Sequence, residues 1–184
     1  NDHQEALVLF RRQKPQFEIV DVELRPWQQD AMKYFESPTQ RQVIWIRGNR
    51  GNEGKTWFQK YVQSFFGYHR VCQIDLRIKH ANICNVLKKR TLGTIDIFLF
   101  NDSRSVSGDE LNLYRILEDI KDGQATTSKY NNDNIRFKTP NTVMVFSNHD
   151  PNLKKLSEDR WILLHPDSDG LKDILSTYKQ NIEL

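Results

Sequence analysis

Cysteine is scarce: only Cys72 and Cys84 occur in 184 residues. Their spacing fits no zinc pattern, and two thiols do not make a disulfide framework. Stability must then come from a packed core, and both thiols are expected to act as small, reduced hydrophobes. Long hydrophobic runs are missing as well. None approaches the roughly 20 residues that a membrane-spanning helix needs, and no signal-peptide pattern opens the chain. An excess of one charge sign is also lacking, with 27 Lys+Arg against 24 Asp+Glu and a net charge of +3. Bulk charge therefore gives no argument for nucleic acid, and any such contact must come from a local patch. No internal repeat or low-complexity tract is visible. The five histidines, His3, His69, His80, His149 and His165, are too dispersed for a His-hydrophobic-His metal motif.

What is present is an alternation. Residues 1–23 are polar and mixed and read as a leader or linker; residues 24–184 read as one domain long enough to bury a core. Leu24-Arg25-Pro26-Trp27-Gln28 opens a helix with proline in its first turn, and Ser37-Pro38 closes it. Trp27 is expected as a packing anchor on that helix rather than a base-stacking group. Short apolar runs at 43–46, 71–74, 95–100, 142–146 and 161–164 read as strands. Helical spacing at 56–66, 78–92 and 107–120 separates several of them, and 170–180 reads as a closing helix. Residues 125–139 read as a hairpin around an Asn/Asp-rich turn. Unbroken apolar strands alternating with helices predict a mostly parallel α/β sheet covered on both faces. In such sheets ligands bind at the carboxyl ends of the strands.

One strand end carries a strong signal. Gly48-Asn49-Arg50-Gly51-Asn52-Glu53-Gly54-Lys55-Thr56 lies between an apolar strand and a helix. Glycines let the backbone N–H groups approach an anion, and the helix N-terminus adds positive partial charge. Lys55 would reach the β- and γ-phosphates of a nucleotide, and the Thr56 hydroxyl would bind Mg²⁺. The loop is one residue longer than the common G-x-x-x-x-G-K-[ST] pattern, because Asn49 stands at the first glycine position and Gly48 just before it.

Two more strand ends are candidates. Ile95 to Phe100 leads into Asn101-Asp102, where a metal-binding carboxylate is expected. Asn101 can offer a carbonyl oxygen but cannot act as a base, so Asp102 either supplies the acid or begins a turn. Asn148 could orient water beside a γ-phosphate, or be a turn asparagine. Arg160 is a candidate arginine finger, against a surface ion pair with Glu158 or Asp159. Lys129 and Tyr130 in the hairpin suit a finger that grips single strands, although composition alone favours a solvated loop.

These pieces, in this order, resemble the superfamily-3 helicase domain of replication initiator (Rep) proteins of circular single-stranded DNA viruses, closest to the nanovirus and alphasatellite branch. The likeness runs from Leu24 to about Leu164. It rests on Leu24 to Gln28, the long loop ending Gly54-Lys55-Thr56, Phe100 to Ser105, Ser128-Lys129-Tyr130, Phe146-Ser147-Asn148 and Ser157 to Arg160. The resemblance implies an AAA+-like P-loop NTPase with a five-stranded sheet and a β-hairpin insertion. It also implies an ATP- and Mg²⁺-dependent helicase, a ring that is commonly a hexamer, translocation on single-stranded DNA, and action in the host nucleus. Lys55 and Thr56 would be the Walker A residues, Asn101 and Asp102 the Walker B position, Lys129 the pore-hairpin contact, Asn148 the sensor and Arg160 a finger acting on a neighbour. A nuclease domain is expected elsewhere in the full-length protein. The alternatives are a nucleotide-binding assembly module with impaired hydrolysis, suggested by Asn101, and a superfamily-3 RNA helicase.

Overall fold

The computed structural model describes residues 22–49, 51–75, 83, 87, 94–102, 110–126 and 134–182. In chain order the elements are α1 (Pro26–Glu36), β1 (Val43–Arg47), α2 (Lys55–Phe66), β2 (Val71–Asp75), β3 (Ile97–Asn101), α3 (Glu110–Lys121), β4 (Gln124–Thr126), β5 (Asn134–Arg136), β6 (Thr142–Ser147), β7 (Trp161–Asp167), β8 (Gly170–Asp173) and α4 (Leu175–Ile182). Single 3₁₀ turns at Leu153–Lys155 and Glu158–Arg160 lead into β7. The main sheet has six strands in the order β2-β3-β6-β1-β7-β8. All neighbours are parallel except β7 and β8.

The apolar strands are buried on both faces. Val43 and Trp45 of β1 enter one core while Ile44 and Ile46 enter the other, and β3 and β6 divide in the same way. Residue alternation along each strand forces this division. One core packs against α1 and α2 through Trp27, Phe35, Phe58 and Val62. The other packs against α3, α4, the β4–β5 hairpin, and Ile83 and Leu87, which are helical and buried. This is a mixed α/β fold with a mostly parallel central sheet flanked by helices, as the alternation predicts. Cys72 is buried in β2.

Two local details differ from expectation. The sheet has six strands where five were expected, and the segment read as one closing helix is split. Gly170–Asp173 pairs antiparallel with the extended end of β7, and helix begins only at Leu175. The Leu171 amide donates to the Asp30 carboxylate of α1 at 3.0 Å. Gly170 has φ 144°, and a Cβ there would lie 2.4 Å from Asp30 Oδ2. The tight turn and the Asp30 contact hold these residues extended. The hairpin forms with Ala125 opposite Ile135. Its turn, with Lys129 and Tyr130, lies outside the described residues, as does most of the 78–92 segment.

Candidate functional site

The chain leaves the sheet at Gly48, whose amide donates to the Ser147 carbonyl of β6 at 2.8 Å. It then turns through Asn52 (φ 69°) and Gly54 (φ 84°) into α2. A Cβ on Gly48 would lie 1.8 Å from Glu53 Oε2 and 2.0 Å from Lys55 Nζ. The close approach that the common pattern assigns to its first glycine therefore falls on Gly48. Two donors from the start of α1 brace the far side of the loop. Trp27 Nε1 donates to the Glu53 carbonyl and Arg25 Nη1 to the Asn52 carbonyl, each at 3.2 Å. Trp27 is also a packing anchor, buried and edge-on to Phe58.

Lys55 ties three segments together. Its ammonium donates to Glu53 Oε2 at 2.6 Å and to Asn148 Oδ1 at 2.7 Å. Asn148 follows β6, and the segment behind it is fixed twice. Trp45 Nε1 donates to the His149 carbonyl at 3.0 Å, and the His149 amide donates to Ser147 Oγ at 2.9 Å. The same Ser147 hydroxyl donates to Asp102 Oδ2 at 2.5 Å, while the Asp102 amide donates to the Phe146 carbonyl. Because β6 lies between β1 and β3, it joins the loop at one side to the Asn101–Asp102 strand end at the other. Lys55, Glu53, Asn148 and Asp102 thus form one connected polar group. Ser147 joins its two halves; the sequence places it in the Phe146-Ser147-Asn148 motif but assigns the role there to Asn148 alone.

A cavity of about 660 Å³ opens beside the loop, lined by Arg25, Trp27, Asn49, Glu53, His165 and Asp167 among others. His165 Nδ1 lies 2.8 Å from the Arg47 carbonyl. A carbonyl only accepts, so Nδ1 carries the proton and Nε2 is left as an acceptor in the neutral ring. A group of three or more His, Cys, Asp or Glu side chains fit to hold a metal is not found among the described residues. Mg²⁺ at a phosphate site needs only one or two protein oxygens besides phosphate and water. The Thr56 hydroxyl in the first turn of α2 and the Asp102 carboxylate just past β3 are oxygens of that kind.

The opposite edge of the sheet differs. Arg160 immediately precedes β7, and Val43 pairs with Trp161, so Arg160 lies at the amino ends of the strands. A five-residue strand spans roughly 16 Å, which puts Arg160 beyond reach of Lys55 in its own chain. Its buried guanidinium pairs with Asp122 at 2.7 Å and Glu118 at 3.7 Å. Nε and Nη1 lack hydrogen-bond partners among the described residues. The neighbouring acids pair elsewhere, Glu158 with Lys179 and Asp159 with Arg41. On the same edge Asp96 accepts from Arg70 and Lys138. Burial opposes its ionisation most strongly, yet the two cations together hold it below the ordinary carboxylate value. Lys121 donates to the carbonyls of Thr39 and Asn141. Burial, and next the charge of Arg160, push its pKa down to about 8. Among the described residues no helix is long and apolar enough to cross a membrane.

No protein-family model matches the chain. Among curated proteins it is similar to Para-Rep C6 of Subterranean clover stunt C6 alphasatellite, 32% identical over 142 residues, or 75% of this chain and 46% of the relative. Para-Rep C10 of Milk vetch dwarf C10 alphasatellite is 30% identical over 142 residues, 76% of this chain and 47% of the relative. The master replication protein of Subterranean clover stunt virus (strain F) is 25% identical over 154 residues, 84% of this chain and 50% of the relative. The chain spans about half the length of the curated relatives it matches.

Proposed function

Because this chain is a homologue of alphasatellite and nanovirus replication proteins along about half their length, we propose that it is the ATP-hydrolysing helicase part of a viral replication initiator. In this reading it is an AAA+-like P-loop NTPase of the superfamily-3 type that works on single-stranded DNA as a closed ring, commonly a hexamer. The observation that carries the reading is the ammonium of Lys55 joining Glu53 of the loop to Asn148 past β6, while Ser147, next to Asn148 in the chain, donates to Asp102 past β3. Phosphoryl transfer needs those parts together: a cradle, a cation, a water-orienting amide and a carboxylate.

The phosphates of ATP lie along the loop backbone against Lys55, and the nucleoside lies in the cavity between Arg25–Trp27 and His165–Ser168. Thr56 and Asp102 would hold Mg²⁺ through their oxygens, and the ion would neutralise charge on the phosphate oxygens. Asn148 orients the attacking water, and Asp102 polarises it. The hydrogen bond from Ser147 supports Asp102, rather than Asn101, as the acid of the site. Arg160 serves a neighbour, since the strand register keeps it away from its own loop. A head-to-tail ring is the symmetry that such a residue requires. The hairpin β4–β5 carries Lys129 and Tyr130 toward DNA. The second reading, nucleotide-driven assembly with slow turnover, rests on Asn101 alone.

An ATPase assay with and without single-stranded DNA, run beside a sizing measurement with nucleotide, tests the proposal. Hydrolysis rises with DNA and falls about a hundredfold or more in Lys55→Ala. Turnover untouched by that substitution removes the assignment. Equal stimulation by RNA and DNA favours the RNA helicase.

A further inference from the structure

The loop supplies an anion of its own. Both carboxylate oxygens of Glu53 are engaged within the loop: Oε1 accepts from the Asn49 amide at 3.1 Å and Oε2 from the Lys55 ammonium at 2.6 Å. Both donors belong to the apparatus that would hold phosphate. The space above Gly48 is filled by this same carboxylate and ammonium. The two side chains are only 14% and 15% exposed, so solvent screens their attraction less than at an open surface.

The geometry points to Glu53 as an internal competitor for phosphate: its carboxylate takes the place of a nucleotide phosphate on Asn49 and Lys55 until a nucleotide displaces it. This rests on the nucleotide reading of the loop. The displacement is a side-chain rotation rather than a loop movement, because Trp27 and Arg25 pin the backbone at Glu53 and Asn52. Glu53 also lines the 660 Å³ cavity, which gives the displaced carboxylate room. A ligand that must evict Glu53 binds more weakly, by the factor with which the occupied loop dominates. A ligand that does not reach these donors is unaffected. The device favours release of the diphosphate product, since Lys55 recovers an anionic partner as ADP leaves. Product release limits turnover in many enzymes.

The test compares wild type with Glu53→Gln and Glu53→Ala, using ADP, inorganic pyrophosphate and AMP as probes, with a melting curve as the check on folding. Glu36→Gln removes the same charge at the exposed end of α1 and measures any general charge effect. Both Glu53 variants should bind ADP and pyrophosphate about tenfold more tightly and release ADP correspondingly more slowly, with AMP unchanged. Wild type that binds ADP while the variants bind it equally or less well overturns the inference and leaves the nucleotide reading standing; Glu53 then supports the loop. Equal tightening of AMP, or the same gain in Glu36→Gln, reduces the effect to net charge and also overturns it. If wild type and the variants bind neither ADP nor pyrophosphate, the nucleotide reading fails and the inference falls with it.

Discussion

The two edges of the central sheet handle charge differently. At the amino edge the described charged groups pair within the chain: Asp96 is held between Arg70 and Lys138, Lys121 points at backbone carbonyls, and Arg160 lies against Asp122 and Glu118 with Nε and Nη1 left over. At the carboxyl edge the partners are exchangeable. Lys55 shares itself between Glu53 and Asn148, and Asp102 is met by a single serine hydroxyl. Removing one member of a buried ion group leaves a charge without compensation and destabilises the fold. Removing a member of an exchangeable group leaves the fold and takes away chemistry. The contrast separates residues that hold the sheet from residues that wait for a ligand, and substitutions can test where the line runs.

Arg160 is the sharpest case, because its contacts belong to one edge and its proposed role to the other. A homogeneous Arg160→Ala ring should lose about a thousandfold in ATP turnover. Mixing it with Lys55→Ala subunits should restore part of the activity at mixed interfaces, read by titrating one against the other. A variant that melts early yet turns over normally would assign Arg160 wholly to the amino edge. Next in size is Asp102→Asn, expected to cut turnover about a hundredfold with little change in melting temperature. Asn101→Asp should change turnover by less than about threefold. The reverse ranking would move the acid to Asn101 and favour the slow-turnover reading. Asp96→Ala should do the opposite of Asp102→Asn, lowering stability by about 2 kcal/mol while nucleotide affinity of the folded protein holds. Its deficit has a pH signature. A carboxylate held below its ordinary 3.8 contributes fully above that value, and the contribution fades as pH falls further. Melting curves of the two proteins should therefore converge in acid.

The smallest effect belongs to Lys121. Its folded pKa of about 8 lies below the ordinary 10.5, so between those values the unfolded chain binds a proton that the folded chain has released. Stability rises with pH across that window. The melting temperature of wild type relative to Lys121→Met should climb steadily from pH 8 to 10.5. A flat difference would show that the amine is well solvated.

Local chemistry made much of this legible in the sequence. The apolar runs of β1, β3 and β6 announce buried parallel strands, and glycines followed by Lys55 announce an anion loop at one end. What stayed hidden depends on distant partners. Nothing in Gly170 to Asp173 alone is strand-like; β7 and the Asp30 carboxylate make it one. Ser147 stands in a motif beside Asn148, yet its own role was not legible, since its value comes from lying between Asp102 and His149. The acids next to Arg160 in sequence are not its partners, because a 3₁₀ turn directs them toward Arg41 and Lys179 while the guanidinium turns to α3. The cavity beside the loop has walls from residues well over a hundred positions apart, which no local pattern encodes.

That last separation has a consequence for how the fold is held closed. The clasp between Asp30 and Leu171 brings α1 against β8 at the edge of the sheet. The cavity sits in the seam they make, with Arg25 to Trp27 on one lip and His165 to Ser168 on the other. A molecule bound there touches segments about 140 residues apart along the chain at once, as a rivet does two plates. Its binding energy would add to the stability of both. Backbone amides of α1 and β8, far apart along the polypeptide, would then lose their exchange with solvent together.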